Sequence, residues 1–234
     1  MEKVKTYIPG LDTMLGGGLN KRTITLVAGG AGSGKSILAM EFIYNGIIKE
    51  KSPGVYISFE ESKENVFEWM KEFDWDLEKL EEKKHFLFIE YTPEKIKHLL
   101  DEGGGLISTA LEKIKAERIV IDSISSFGML FKDELQRREA LMDLFKLMRK
   151  WGATVIVTGE FESDIESHLS TDLEFEVDNI IMLYHPRKKD LRDRSLEVLK
   201  TRGSNHVDRV VPFGILKNGV EVKADSRVDY YRRK

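Results

Sequence analysis

Gly29, Gly34, Lys35 and Ser36 stand at the spacing G-x-x-x-x-G-K-S, the pattern of a phosphate-binding loop. The residue types explain the chemistry. Gly29, Gly30, Gly32 and Gly34, with Ala31 and Ser33 between them, let the backbone curl until successive N–H groups face one anion. A helix opening at Ser36 adds the partial positive charge of its N-terminus to the same spot. Lys35 is then placed to reach the β- and γ-phosphates of a nucleotide, and the Ser36 hydroxyl to ligate Mg²⁺. ATP and Mg²⁺ are the ligands this segment leads one to expect.

Two further segments carry carboxylates where such a site needs them. Ile119-Val-Ile-Asp122 is an apolar run ending in an acid, the form of a Walker-B strand, and Asp122 could hold Mg²⁺ through its water shell. Phe59-Glu60-Glu61-Ser62 follows another apolar run, and Glu60 or Glu61 could orient and deprotonate the attacking water. A plainer alternative puts both acids in the first turn of the next helix, where the dipole favours them, with Ser62 as a cap. Thr158 and Glu160 close a later apolar run and could sense phosphate, or belong to an ordinary polar loop.

These residues require a scaffold whose strand ends line up. Strands and helices alternate from about residue 23 to 157, which predicts an α/β fold with a doubly wound, mostly parallel sheet. The expected strands are 23–28, 54–59, 86–90, 118–122 and 153–157, with helices from Ser36, over 63–73, and over 133–150. A helical region from Pro93 to near Ala116 is interrupted at Gly103-Gly104-Gly105. Beyond 157 the pattern changes to short strands at 180–184, 196–200, 210–215 and 220–222, joined by tight connections, with Asn218-Gly219 a hairpin signal. No long linker, repeat or low-complexity tract interrupts the 234 residues, so a single domain over 1–234 is the economical reading.

Composition narrows the class. Hydrophobic residues make up 41% and charged residues 33%, the balance of a folded, water-soluble chain. A net charge of -3 gives no general attraction to nucleic acid. No apolar run reaches membrane-spanning length and the first residues lack a signal-peptide core, while the absence of cysteine removes disulfides and thiol nucleophiles. A cytoplasmic protein is expected.

Ile8-Pro-Gly-Leu-Asp-Thr-Met-Leu-Gly-Gly-Gly-Leu19 resembles the G-[LF]-D-x-[LM]-L-x-G-G-[LI] lead-in of the RecA/RadA/KaiC superfamily. Phe59-Glu60-Glu61 resembles the F-E-E of KaiC and of archaeal single-domain KaiC-like proteins, and Leu196 to His206 is similar to the KaiC segment L-x-x-L-K-x-R-G-[ST]-x-H. The likeness runs from about residue 7 to 222. It implies a RecA-like P-loop ATPase core, a homo-oligomer arranged as a ring of usually six subunits, and ATP held between neighbours. It further implies that Lys200 and Arg202 act in trans on the neighbour's γ-phosphate and that His206 contacts nucleotide from the same side. Without the resemblance, Lys200 and Arg202 read as same-face charges on an exposed edge strand. Ser167-His-Leu-Ser-Thr171 resembles the autophosphorylated stretch in the second domain of KaiC, the circadian-clock ATPase, but its spacing to Asp178-Asn179 is longer, so autokinase activity at Ser170 or Thr171 is a secondary expectation.

The function expected is therefore an ATP-binding and ATP-hydrolysing regulatory ring acting on an unknown protein partner, with no membrane role. The alternative is a RadA-like protein binding single-stranded DNA through loops at 125–133 and 161–176. The second loop carries six acids and no Lys or Arg, which suits a phosphate channel poorly. The basic stretches His185–Lys189 and Tyr230–Lys234 could touch nucleic acid but more often such runs are solvated surface. A third reading is a non-hydrolysing scaffold with ATP as interface glue.

Overall fold

The computed structural model describes residues 1–91, 95, 105–161, 173–188 and 190–228. Runs rich in Val, Ile and Leu are buried on both faces, as strands covered by helices on either side must be. In chain order the strands are β1 (Lys3–Val4), β2 (Leu19–Asn20), β3 (Ile24–Gly29), β4 (Gly54–Ser58), β5 (Phe86–Glu90), β6 (Arg118–Asp122) and β7 (Thr154–Glu160). They continue with β8 (Asn179–Tyr184), β9 (Arg187–Lys188), β10 (Leu191–Arg192), β11 (Ser195–Thr201), β12 (Val211–Leu216) and β13 (Gly219–Val222). Among the described residues one sheet has nine strands in the order β13-β12-β11-β8-β3-β7-β6-β4-β5. The six strands from β8 to β5 run parallel, and β11, β12 and β13 add antiparallel pairs at one side. This is the expected α/β, RecA-like arrangement.

Each face carries its own apolar layer. The helix Lys35–Glu50 packs Leu38, Phe42 and Ile43 with Val27, Tyr56 and Val120 on one face. On the other, the helices Gly105–Ile114, Ile124–Met129 and Glu134–Lys150 cover Leu26, Ile57, Ile119 and Val155. Strand ends depart from expectation by one to three residues, and two features differ in kind. β8 pairs in parallel with β3, so it belongs to the core sheet and not to the antiparallel set that follows it. Part of the loop expected at 125–133 is a helix, Ile124–Met129, whose N-cap Ser123 accepts a hydrogen bond from Ser126 N. Among the described residues β12 pairs with β11 only at Ser195 and Leu196, so Lys200 meets a neighbouring strand only on the β8 side, and Arg202 lies just past the strand's end. The stretch 162–172, with Ser170 and Thr171, the helical region before Gly105, and the tail 229–234 lie outside the described residues, apart from Lys95.

Candidate functional site

Parallel register is what assembles the site. Ser58 pairs with Asp122, and Val27, Ala28 and Gly29 pair with Thr158, Gly159 and Glu160. The carboxyl ends of β3, β4, β6 and β7 therefore share one edge, where ligands bind in open α/β sheets. Gly29 ends β3, and the helix Lys35–Glu50 starts one residue before the sequence suggested. Its N-cap, Gly34, has φ 105°, a conformation that favours glycine, and Gly32 has φ 70°. A Cβ at Gly29 would fall 2.4 Å from the Leu183 carbonyl oxygen, so the loop can leave the sheet here only without a side chain. At Gly32 nothing stands within 4 Å of that position, which leaves the loop's crest open to a ligand.

Lys35 is buried and its Nζ donates to the Gly29 and Gly30 carbonyls, 3.0 Å each. The ammonium thus lies over the loop's own backbone, at its mouth. Ser33 Oγ is buried without a hydrogen-bond partner among the described residues. Open glycine backbone, an inward lysine and a helix N-terminus fit a triphosphate.

Around the two residues expected to hold Mg²⁺ stands a third that the sequence did not suggest. Tyr56, in the middle of β4, is 1% exposed and lies on the face of the sheet that meets the Lys35–Glu50 helix. Its hydroxyl donates to Asp122 Oδ2 and also meets the Ser36 hydroxyl, so one phenol joins the two expected Mg²⁺ ligands. Burial first, then the Asp122 carboxylate, hold this phenol well above its usual pKa, so it remains a donor. Thr158 donates to the other carboxylate oxygen, Oδ1. Asp122 is thereby oriented from two sides and Ser36 from one. A hydroxyl and a carboxylate, both oxygen donors, suit a hard cation that keeps much of its water. Among the described residues no group of three or more His, Cys, Asp or Glu forms a protein-only metal cluster.

Glu60 and Glu61 separate in the structure. Ser62 caps the helix Lys63–Lys71, so neither acid lies in its first turn, and that plainer alternative does not hold. The Glu60 Oε1 accepts from Ser123 Oγ at 2.5 Å and from Ser126 Oγ, which turns its carboxylate toward the end of β6. Glu61 is held through its backbone by Ser58 Oγ, at 2.9 Å from N and 2.7 Å from O, and its carboxylate faces Asn65 at 3.5 Å. Ser123 and Ser126, like Tyr56, gave no clear signal in sequence, because isolated serines after a strand are common. Glu160 is exposed, with its backbone N donating to Ser125 Oγ at 2.8 Å.

Lys200 and Arg202 lie elsewhere. Lys200 pairs with Ile180 on β8, and the Arg202 N donates to the Asp178 carbonyl, whose own N–H donates to Ile24 O. Arg202 therefore sits level with the start of β3. The phosphate loop begins five residues further along that strand, about 16 Å away at ~3.3 Å per residue. Lys200 Nζ donates to the Glu174 and Val177 carbonyls at 2.6 and 2.8 Å, and Arg202 Nη2 to Phe175 O at 2.8 Å. Burial, then the neighbouring Arg202, lowers the Lys200 pKa. His206 follows in the connection to β12. Within one chain, these three residues do not join the loop, Asp122 and the Glu pair.

With that geometry in hand, comparison with known proteins is informative. The family model "ATPase: KaiC" matches residues 4–227. The circadian clock oscillator protein KaiC of Synechococcus elongatus is 31% identical over 94% of this chain, but the match spans 44% of that protein. A UPF0273 protein of Methanocaldococcus jannaschii is 33% identical, with 96% of this chain matching 98% of it. The crystal structure of a KaiC-like protein from Pyrococcus horikoshii OT3 superimposes with a TM-score of 0.84 at 31% identity, covering 94% of this chain and 98% of that one. The chain thus spans less than half of the clock protein and nearly all of the archaeal relatives.

Proposed function

Because the chain belongs to the KaiC ATPase family, we propose that it is a single-domain, Mg²⁺-dependent ATPase whose active sites form between subunits of a cytoplasmic homo-oligomeric ring, six by family analogy, regulating an unidentified protein partner. The observation that carries this reading is the division of charge within the fold. Phosphate loop, Asp122 and Glu60 share one sheet edge, and Lys200 and Arg202 sit at the opposite end. Cations so placed can reach a γ-phosphate only on another copy. The family match favours this reading over a RadA-like strand-exchange protein.

In the proposed site, backbone N–H groups of Gly29 to Ser36 hold the phosphates and Lys35 swings from its own carbonyls to the β- and γ-oxygens. Ser36 and Asp122 hold Mg²⁺, which when bound withdraws charge from the phosphate oxygens. Glu60 or Glu61 aligns a water for in-line attack on the γ-phosphorus and takes its proton, Glu60 from the side of β6. Lys200 and Arg202 of the adjacent copy face the charge growing on the γ-phosphoryl, and His206 contacts the nucleotide from that copy. A cation offered in this way raises turnover by roughly 10³-fold or more.

Phosphate release tests the reading. Lys35→Ala is expected to lose ATP binding and turnover together. Arg202→Ala is expected to bind ATP within a few-fold of wild type while losing about 10³-fold in turnover. Equal background for all three proteins would leave ATP as a structural ligand only.

A further inference from the structure

The glycine-rich lead-in before the phosphate loop has no part in the chemistry above. β1 and β2 form a two-stranded ribbon in which Lys3 stands directly opposite Asn20. The side chains of this pair converge on the segment that follows β11. Asn20 Nδ2 donates to the Arg202 carbonyl at 2.9 Å, and Lys3 Nζ donates to Ser204 Oγ at 2.5 Å. Lys3 Nζ also donates to the Gly18 carbonyl at 3.0 Å and the Leu15 carbonyl at 3.4 Å, so one ammonium ties the glycine loop to the 202–204 turn.

Backbone contacts extend the seam. Val207 N donates to Met14 O at 2.9 Å. A Cβ at Gly16 would lie 2.5 Å from the Asn205 carbonyl oxygen, so this approach needs a glycine there. Asn20 itself is 1% exposed, and its Oδ1 has no hydrogen-bond partner among the described residues. An unpaired buried carbonyl costs stability. Core packing alone would therefore favour an apolar residue at position 20. What the amide supplies is the bond to Arg202.

Arg202 sits in a turn, with Gly203 after it at φ 70°. A cation on such a turn scatters unless the backbone is held, and displacement by about 1 Å can cost roughly 100-fold in rate. We infer that Lys3 and Asn20 are positioning residues for the trans-acting Arg202, the ribbon β1–β2 serving as the clamp that aims it at the neighbouring subunit's nucleotide. This rests on the intersubunit reading proposed above.

The test pairs full-length subunits that are each defective in one half of the site. Asn20→Asp removes the amide donor at nearly constant size, and Lys3→Met removes the ammonium. Each alone is expected to retain ATP affinity, measured with a fluorescent ATP analogue, while turnover falls roughly 10- to 100-fold. Co-expressed one-to-one with Lys35→Ala, whose Arg202 is intact, each is expected to recover turnover. About a quarter of head-to-tail interfaces would then combine an intact loop with a correctly held Arg202. A variant with lost turnover that Lys35→Ala does not restore would make the pair merely structural and overturn the inference. So would wild-type turnover in both variants. Arg202→Ala mixed with Lys35→Ala is the control. If that mixture stays inactive, the intersubunit reading itself fails; if it recovers while the Asn20 and Lys3 variants do not, only the clamp fails.

Discussion

Replacing Tyr56 by Phe removes one hydroxyl and keeps the ring stacked on Phe88, with centroids 5.5 Å apart. Asp122 would keep Thr158 as its donor but lose the phenol, and Ser36 would lose the bridge to Asp122. The expected result is a rise of about tenfold in the Mg²⁺ concentration giving half-maximal phosphate release, equivalent to ~1.4 kcal/mol of lost preorganisation. ATP affinity in the absence of metal should not change, and an unaltered magnesium requirement would remove Tyr56 from the site. Glu41 makes a second residue-scale prediction. Its carboxylate is buried in the Lys35–Glu50 helix and accepts from Val220 N at 2.7 Å and Asn45 Nδ2 at 3.3 Å. Burial outweighs these bonds and raises its pKa from 4.5 to about 7. The folded state therefore binds the proton more tightly than the unfolded chain does. Stability from this group is greatest below pH 4.5 and declines as pH rises through about 7, by about 3 kcal/mol in total. Urea midpoints measured from pH 5 to 8 should show the decline in wild type and flatten in Glu41→Gln.

At the scale of elements, the Lys35–Glu50 helix shows how tertiary context reverses a local preference. Gly46 lies inside it, where Ala would ordinarily stabilise by about 1 kcal/mol. Here a Cβ would fall 2.0 Å from Arg118 Nε. That guanidinium is fully buried, stacks on Phe42 at 4.6 Å, and donates to the Lys5 and Phe42 carbonyls and to Glu50 at 2.9, 3.1 and 2.5 Å. Gly46→Ala is therefore expected to destabilise by about 3 kcal/mol, read as a lower thermal midpoint; a more stable protein would show that Arg118 can move aside. Strands were legible at this scale because long Val/Ile-rich runs have few alternatives. The helices Leu77–Glu82 and Ile124–Met129 were not, since six residues give too little periodicity. Their capping residues, Asp76 and Ser123, are visible only once the helix is known.

At the scale of the whole molecule, the intersubunit reading proposed above predicts that the separation between Arg202 and the phosphate loop makes activity depend on assembly. Turnover per subunit should be constant at high protein concentration and fall on dilution, in step with the mass found by light scattering with Mg-ATP. Undiminished turnover by a monomer would show that Lys200 and Arg202 are not needed from a neighbour.

The phosphate-loop pattern, Asp122 at a strand's end and the Glu60-Glu61 pair just past another strand could be proposed without coordinates because contiguous residues make each of them: glycine freedom, a strand's last side chain, and acids between a strand and the next helix's cap. Membership of the family was carried in the same way by short ordered motifs. What only the tertiary structure decided were relations between distant segments. Tyr56 meets Asp122 because parallel register sets Ser58 beside Asp122. The lead-in glycines meet residues 202–207 because β11 runs back along β8 to the far end of the sheet. Spacing along a chain fixes local geometry, but strand order and direction determine which ends share an edge, and the sheet closes those distances only after folding.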